Sequence, residues 1–239
     1  MKPKVLFIGS IGTVAETSEF QRLAYNQALK ENDVNWEWSK DIYKSLLKSS
    51  GGIDRLETLS KATNQNLLNE TIKKVHARKT ELACEHIIKK KICPREGLTD
   101  IIEKAKHDGV KVAWVTTTGK ENTDAIIQAS QGKLSEAHFD YIFHRHDAKN
   151  GKPSSDIYHT ALSHFNVKAH ECIAIEDSLN SVLSSKGAGI FTVVTPGNYH
   201  DDESAKISDV HYKSLDQTDW ATLKSKFENI QSQAVSSQN

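Results

Sequence analysis

Four short segments of the sequence carry side chains suited to phosphate or cation chemistry. They are Gly9 to Thr13 (GSIGT), Thr116 to Thr118 (TTT), Gly151 to Tyr158 (GKPSSDIY) and Glu176 to Ser178 (EDS). Hydroxyls, a lysine and backbone N–H groups bind anions, whereas neighbouring carboxylates bind cations such as Mg²⁺. The four segments therefore predict an anion site, with or without a metal ion, if the fold brings them together.

Three of these segments directly follow apolar runs that are typical of buried strands. Beyond Pro94, predicted strands alternate with predicted helices: strands at 110–115, 141–143, 172–175 and 190–194, and helices at 121–130, 155–165 and 179–186. Such alternation indicates parallel strands joined by right-handed helical crossovers. We therefore expect an α/β fold with a doubly wound parallel sheet, and the candidate residues at the carboxyl ends of its strands, where ligands bind.

Residues from about 19 to 85 have a helical periodicity instead. Apolar residues recur there at spacings of three and four, as at Phe20, Leu23 and Ala24, and the longest helix is expected to begin at Asn64. A block of this length suits a small domain inserted after the first strand. We predict a core domain formed by residues 1–17 and 90–239 and an inserted helical domain formed by residues 18–89.

The composition excludes several classes of partner. Lys and Arg together number 31 and so do Asp and Glu, so no net charge favours nucleic acid or an anionic membrane. No apolar stretch approaches the length of a membrane span, and the first apolar run is too short for the core of a signal peptide. Because the three cysteines form no CxxC pair, a disulfide framework is not expected. We expect a cytoplasmic protein with neither nucleic acid nor a membrane as partner.

In order and spacing, the four segments resemble the four motifs of the haloacid dehalogenase (HAD) superfamily. GKPSSDIY and IEDS are typical of its sugar-phosphatase branch, and the strings VAET, YNQA, WEW and HARKT resemble the CbbY-like phosphatases. The resemblance extends from residue 4 to about residue 215. It implies a doubly wound core, a helical cap domain over residues 18–89 and Mg²⁺-dependent hydrolysis of sugar phosphates.

The sequence departs from this family at the residues that perform the reaction. The first motif of the family is DxDGT, in which the first aspartate attacks phosphorus and the second exchanges a proton with the leaving oxygen. Gly9 and Ile11 stand at these two positions. The resemblance further assigns Thr116 and Lys152 to the phosphoryl group, and Glu176 and Asp177 to a magnesium site that is vestigial here.

The resemblance also implies a set of substrate-binding residues. These are Gly12, Thr13, Glu16, Tyr43, Arg55 and Thr117. Two members of the family's substrate shell are replaced, since Ile53 follows Gly51-Gly52 where the family has lysine, and Gln21 stands at the position of a histidine. With four losses in all, we predict a pseudo-phosphatase with a binding or regulatory role.

Several expectations follow from the loss of the two aspartates. No cofactor should bind tightly, Asp177 is expected to pair with Lys152, and Ser10 should face away from the site because neighbouring side chains of an extended segment point to opposite faces. The partner is expected to be a phosphorylated small molecule or a protein. The alternative is an active hydrolase of the HAD family that uses a displaced carboxylate such as Glu16 or Asp177.

One further cluster lies outside the four motifs. His144-Arg145-His146-Asp147 places two histidines at i and i+2, a spacing that permits metal binding, although a solvated connection is the commoner role of such a loop. The polar chain after Phe227 is expected to fray.

Overall fold

A six-stranded parallel sheet forms the centre of the molecule. The computed structural model describes residues 2–48, 51–64, 66–199 and 202–236. The strands are β1 (Val5–Ile8), β2 (Lys111–Val115), β3 (Tyr141–Phe143), β4 (Cys172–Glu176), β5 (Phe191–Val194) and β6 (Val210–His211). Their order across the sheet is β3-β2-β1-β4-β5-β6. The prediction of a doubly wound parallel α/β sheet is confirmed.

The central strand β1 shows why these apolar runs become strands. Its side chains alternate between two hydrophobic clusters, with Leu6 and Ile8 in one and Val5 and Phe7 in the other. Each cluster is covered by helices, so the strand is buried on both faces and tolerates no polar side chain. Ile8 is level with Trp114 of β2 and Ile175 of β4, and this register places the ends of the three strands side by side.

Among the described residues, six helices belong to the sheet core. They are α1 (Ile11–Val14), α6 (Leu98–His107), α7 (Lys120–Ala129), α8 (Asp156–Phe165), α9 (Leu179–Gly187) and α10 (Trp220–Ser236). Sequence patterns predicted α7, α8 and α9 to within a residue or two, but α6, α10 and β6 were not predicted. The chain after Phe227, which was expected to fray, continues as a helix to Ser236, and residues 237–239 lie outside the described residues.

The remaining four helices form a helical block. They are α2 (Ser18–Glu31), α3 (Lys40–Leu46), α4 (Gly52–Ala62) and α5 (Asn69–Lys90), and they enclose a hydrophobic cluster of their own. The longest helix, α5, begins at Asn69 and not at Asn64. The reason is local: Asn64 and Asn66 have positive φ values of 55° and 45°, a conformation that asparagine tolerates and a helix does not. The division into two domains stays a prediction.

The helical block is joined to the sheet core by polar and aromatic contacts. The ring of Tyr199, beyond β5, packs edge-on against Tyr43 of α3 at 5.8 Å, and its hydroxyl donates to Glu19 of α2. The Asn180 amide of α9 donates to the Lys48 carbonyl at 3.2 Å. None of the described helices is long and apolar enough to span a membrane.

Candidate functional site

The predicted site residues meet at the carboxyl edge of the sheet, around a buried ion pair. Glu176 is the last residue of β4 and Lys152 lies in the loop before α8. The ammonium of Lys152 donates to Glu176 Oε1 at 2.6 Å and to the Val115 carbonyl at 3.0 Å. Both side chains of the pair are almost fully shielded from solvent, at 0% and 5% exposure. The third and fourth motifs are therefore joined by a direct salt bridge.

Two further donors complete the surroundings of the Glu176 carboxylate. The hydroxyl of Tyr158, on α8, donates to Oε1, and the backbone N–H of Ser10 donates to Oε2 at 3.2 Å. Burial raises the pKa of Glu176, while the Lys152 charge acts in the opposite direction. Burial and the adjacent carboxylate raise the pKa of Tyr158 well above its ordinary value, which keeps its hydroxyl protonated as a donor. Sequence reasoning had assigned Tyr158 no role, since its only signal was membership of the GKPSSDIY string.

Because Gly9 has no side chain, the Glu176 carboxylate can occupy the space directly beside it. A Cβ atom at position 9 would be 1.9 Å from Glu176 Oε2 and 2.6 Å from Oε1. An aspartate at this position is thus incompatible with the observed conformation of Glu176. The observed pairing of Glu176 with Lys152 therefore depends on a residue without a side chain at position 9.

The predicted pairing of Asp177 with Lys152 was wrong. Glu176 has the longer side chain, ends the strand and reaches the lysine, whereas the Oδ2 atom of Asp177 lies 2.0 Å from where a Cβ on Gly12 would be. Asp177 Oδ1 is buried without a hydrogen-bond partner among the described residues. The nearby guanidinium of Arg95 has its pKa lowered by burial, and attraction by Asp177 and Glu16 offsets part of that effect.

Ser10 lies within the site, contrary to expectation. Its Oγ is 2.6 Å from Ser181 Oγ and 3.5 Å from Lys152 Nζ. The strand ends at Ile8, so the alternation of side chains that predicted an outward orientation no longer applies at Ser10. Position 11 contributes an aliphatic side chain packed against the hydrophobic cluster of β1.

The other predicted contact residues are distributed around this centre. Thr116 Oγ1 accepts from the Thr118 N–H at 3.2 Å, so it shapes its own turn and does not cap α7, whose N-cap is Gly119. Thr117 is half-buried beside it. Thr13 is buried and its Oγ1 has no partner among the described residues.

Both oxygens of the Glu16 carboxylate accept hydrogen bonds from backbone N–H groups. It accepts from the Ser18 N–H at 3.1 Å and from the Asn198 N–H at 2.7 Å. These bonds join the start of the helical block to the chain beyond β5. Glu16 therefore has a structural task at the junction with the sheet core.

Tyr43 and Arg55 belong to the helical block, which also holds two basic side chains that sequence reasoning missed, His76 and Lys79. Arg55 donates to the Leu46 carbonyl at 3.1 Å, and Tyr43 is buried against Trp38. Burial, with a contribution from Arg55, lowers the pKa of Lys79 from 10.5 to about 7. Burial lowers the pKa of His76 to about 4, and the charges of Lys79 and Arg55 act in the same direction. The only signal in the sequence was the HARKT string, which does not reveal that Lys79 is buried.

Comparison with known proteins places this geometry in a family. The model of the haloacid dehalogenase-like hydrolases matches residues 12–195. Protein CbbY of Cereibacter sphaeroides is 35% identical over 188 residues, which cover 79% of this chain and 82% of the relative. A CBBY-like protein of Arabidopsis thaliana is 30% identical over 222 residues, covering 89% of this chain and 69% of the relative.

A solved structure extends the similarity to the fold. The crystal structure of a CbbY variant from Rhodobacter sphaeroides in complex with xylulose-1,5-bisphosphate superimposes with a TM-score of 0.84 and 31% identity, covering 93% of this chain and 99% of that one. The chain belongs to the haloacid dehalogenase-like hydrolase family. Within that family it is a member of the CbbY-like phosphatase branch.

Proposed function

We propose that this protein is a pseudo-phosphatase that binds a phosphorylated small molecule without a metal ion. The observation that carries the proposal is the buried Lys152–Glu176 pair beside Gly9. A nucleophile and a general acid/base together contribute many orders of magnitude to a rate, and neither glycine nor isoleucine at positions 9 and 11 can supply either. The family's lysine is here neutralised by a protein carboxylate.

The donor set does not fit the magnesium site of the family. Mg²⁺ requires near-octahedral coordination by oxygen atoms, usually from one or two carboxylates with phosphate and water. The Glu176 oxygens are engaged by Lys152, Tyr158 and the Ser10 N–H. Among the described residues of the motifs, this leaves Asp177 Oδ1 as a carboxylate oxygen without a partner. No step of the proposed function involves a metal ion.

A sugar bisphosphate is the ligand class we propose. The CbbY structure described above contains xylulose-1,5-bisphosphate. In this chain, Arg55 and the buried Lys79 provide positive charge in the helical block, and Lys79 has no carboxylate hydrogen-bond partner among the described residues. Thr13 Oγ1 and the Thr116 turn offer polar groups at the sheet edge. We propose that residues 18–89 act as a cap whose cations hold one phosphate while the sheet edge holds the other.

Calorimetry in EDTA tests this proposal. We expect saturable binding of xylulose-1,5-bisphosphate and no release of inorganic phosphate after Mg²⁺ is added. Lys79→Met should weaken binding at least about tenfold, because a charge-assisted hydrogen bond contributes roughly 1.5–3 kcal/mol. The matched control is Lys73→Met, an exposed lysine on the same helix. Absence of binding at millimolar ligand, or Mg²⁺-dependent hydrolysis abolished by Lys152→Met, would contradict the proposal.

The alternative is a hydrolase that uses a displaced carboxylate, and one observation favours Asp177 over Glu16 for that role. Asp177 Oδ1 has no partner, whereas both Glu16 oxygens accept backbone hydrogen bonds. If this alternative holds, purified protein releases phosphate from sugar phosphates and Asp177→Asn abolishes the release. Failure to detect any release that depends on Asp177 eliminates it.

Restoring both aspartates of the first motif distinguishes two explanations of an inactive site. Either these two residues alone were lost, or residues of the substrate shell changed as well. The double variant Gly9→Asp with Ile11→Asp displaces the Glu176 carboxylate and returns two carboxylates to the sheet edge. We expect it to gain Mg²⁺-dependent phosphatase activity, with Ile11→Asp alone as the inactive control. An inactive double variant would instead implicate Gln21 and Ile53, the two replaced members of the substrate shell.

A further inference from the structure

The loop after β3 holds a compact cluster of metal-ligating groups outside the site described above. His144 directly follows the strand, and Arg145–Asp147 form a short 3-10 turn. A ring nitrogen of His144, a ring nitrogen of His146 and a carboxylate oxygen of Asp147 all lie within 4.8 Å of one another. Within the described part of the chain, this is the group of histidine, cysteine and acidic residues close enough to hold a metal ion.

The ring of His144 is held in one tautomer. The Thr123 hydroxyl donates its hydrogen to the Lys120 carbonyl at 2.7 Å, so its oxygen must accept from His144 Nε2–H at 3.0 Å. Nδ1 of the neutral ring then carries the lone pair, which faces the Asp147 N–H in the capping box of the turn, so a bound ion would replace that contact. Histidine ligands in metal sites have this arrangement, in which the second ring nitrogen donates to a neighbouring group and fixes the ring orientation.

Asp147 is also held in place. Its Oδ2 accepts from the His144 N–H at 2.8 Å, its N–H donates to the His144 carbonyl at 3.0 Å, and its carbonyl accepts from the Thr160 hydroxyl at 3.0 Å. These bonds tie the turn to α8 and position the carboxylate before any ion binds. A ligand fixed in this way loses little conformational freedom on binding.

His146 is the adjustable member of the cluster. Its side chain is 74% exposed, its Nε2 lies 3.6 Å from Asp147 Oδ2, and its ring is nearly parallel to that of His144, with centroids 5.8 Å apart. In a tetrahedral site with bonds of about 2.0–2.1 Å, neighbouring ligand atoms are roughly 3.3 Å apart. Rotation of the exposed His146 side chain can bring its ring nitrogen to that spacing from Asp147 Oδ2, which lies 3.6 Å away.

We propose that His144, His146 and Asp147 bind a divalent transition-metal ion, of which Zn²⁺ is the best match. Imidazole nitrogens favour Zn²⁺, Ni²⁺ and Cu²⁺ over Mg²⁺ and Ca²⁺, and a tetrahedral Zn²⁺ ion with three protein ligands keeps one position for water. The ion would sit beside the second-motif loop, because the Arg145 N–H donates to the Thr118 carbonyl at 2.9 Å. This site is independent of the Lys152–Glu176 pair and of the proposed sugar-phosphate binding.

Titration of the tag-free, metal-stripped full chain with Zn²⁺ against a chromophoric chelator tests the site. We expect one equivalent to bind, and His146→Ala to weaken that binding at least about tenfold, the lower end of the effect that metal-site substitutions produce. The matched control is His170→Ala, an exposed histidine in the 3-10 turn Ala169–Glu171, which should bind Zn²⁺ as the unaltered protein does. Circular dichroism confirms that both variants are folded.

A second variant tests the role of the positioning hydroxyl. Thr123→Val removes the acceptor for His144 Nε2–H and should lower Zn²⁺ affinity about 10–100-fold, the range typical of groups that orient a ligand. Substitution with Co²⁺ should give the visible absorption of a tetrahedral ion without a thiolate charge-transfer band. The proposal is overturned if no equivalent binds at micromolar Zn²⁺, if His146→Ala leaves the affinity unchanged, or if the Co²⁺ spectrum shows thiolate ligation from one of the three free cysteines.

Discussion

Glu176 and Lys152 form an ion pair in a place where either charge alone would be costly. Moving two charges out of water costs several kcal/mol for each, and only their attraction and the added hydrogen bonds offset that cost. Tyr158, the Ser10 N–H and the Val115 carbonyl supply those bonds. The pair is therefore a single electrostatic unit whose members depend on each other.

The change Glu176→Gln tests this dependence. It removes the carboxylate charge that lies 2.6 Å from the buried Lys152 ammonium, so we expect the free energy of unfolding to fall by about 3–5 kcal/mol, as for other buried pairs that lose one partner. Urea denaturation followed by circular dichroism measures it. As control, Glu70→Gln removes an exposed member of the Lys74–Glu70 pair and should leave the unfolding free energy essentially unchanged. Equal effects of the two changes would show that the buried pair is not a stabilising unit.

The sequence predicted part of this site and not the rest. The sequence alone carries the prediction that Gly9 and Ile11 depart from the motif, because it rests on residue identity and not on coordinates. The partner of Lys152 was predicted wrongly, since the choice between Glu176 and Asp177 depends on which side chain points across the sheet edge. That direction depends on the backbone conformation at the end of β4, which the sequence alone does not specify.

At the scale of the element, α5 contains a lysine in an unusual environment. Lys79 is buried among the aromatic residues of the helical block, with its ammonium 4.9 Å from the centroid of the Tyr25 ring. Burial penalises the charged form of the side chain. It therefore lowers the pKa of Lys79 in the folded protein from its ordinary value of 10.5 to about 7. A buried cation without a carboxylate partner reduces stability unless a ligand neutralises it.

The pH dependence of stability follows from this pKa. Between pH 7 and 10.5 the unfolded chain holds a proton on Lys79 that the folded chain has released, so stability rises with pH across this window. Lys79→Met removes the effect, and the variant should be more stable than the unaltered protein near pH 7 by an amount that shrinks toward pH 10. One pKa unit corresponds to about 1.4 kcal/mol, so the difference should reach a few kcal/mol.

Thermal denaturation between pH 6 and 10 measures this difference, with Lys73→Met as the control that should show none. A variant that is more stable at neutral pH and yet loses ligand affinity would identify Lys79 as a binding residue kept at a cost in stability. A pH-independent difference would contradict the lowered pKa.

Some elements were predictable from their local pattern and others were not, and length did not decide which, since α10 has 17 residues and was not predicted. The strands β1, β2 and β4 are short runs of mostly buried apolar residues, and their length favours a strand of a parallel sheet over a buried helix. In contrast, β6 has two residues and, among the described strands, pairs with β5 alone. These two residues form a strand because β5 lies beside them, which their own sequence does not predict. The start of α5 was misplaced because Asn64 and Asn66 adopt positive φ, a choice that the helical pattern on either side does not reveal.

At the scale of the whole molecule, the helical block has a hydrophobic cluster of its own, although Ile87 of α5 is buried in the cluster of the sheet core, and Tyr199 is a further connection between the two. This residue follows β5 in the chain, yet its ring packs against the cluster of the helical block. Its contacts with Tyr43 and Glu19 reach two helices, α3 and α2. We therefore expect the Tyr199 side chain to restrain α3 against the sheet core.

The variant Tyr199→Ala should loosen α3 without unfolding the sheet. An aromatic pair contributes about 1 kcal/mol beyond the area it buries, so amide hydrogen exchange in Lys40–Leu46 should accelerate roughly fivefold or more while exchange in β1 and β4 stays unchanged. The matched control is Tyr141→Ala, which removes an exposed aromatic residue that contacts Phe143 and His164 on the far edge of the sheet. Because local opening and global unfolding have different free energies, acceleration confined to α3 identifies Tyr199 as the restraint, whereas uniform acceleration of the sheet and the helices would show a general loss of stability.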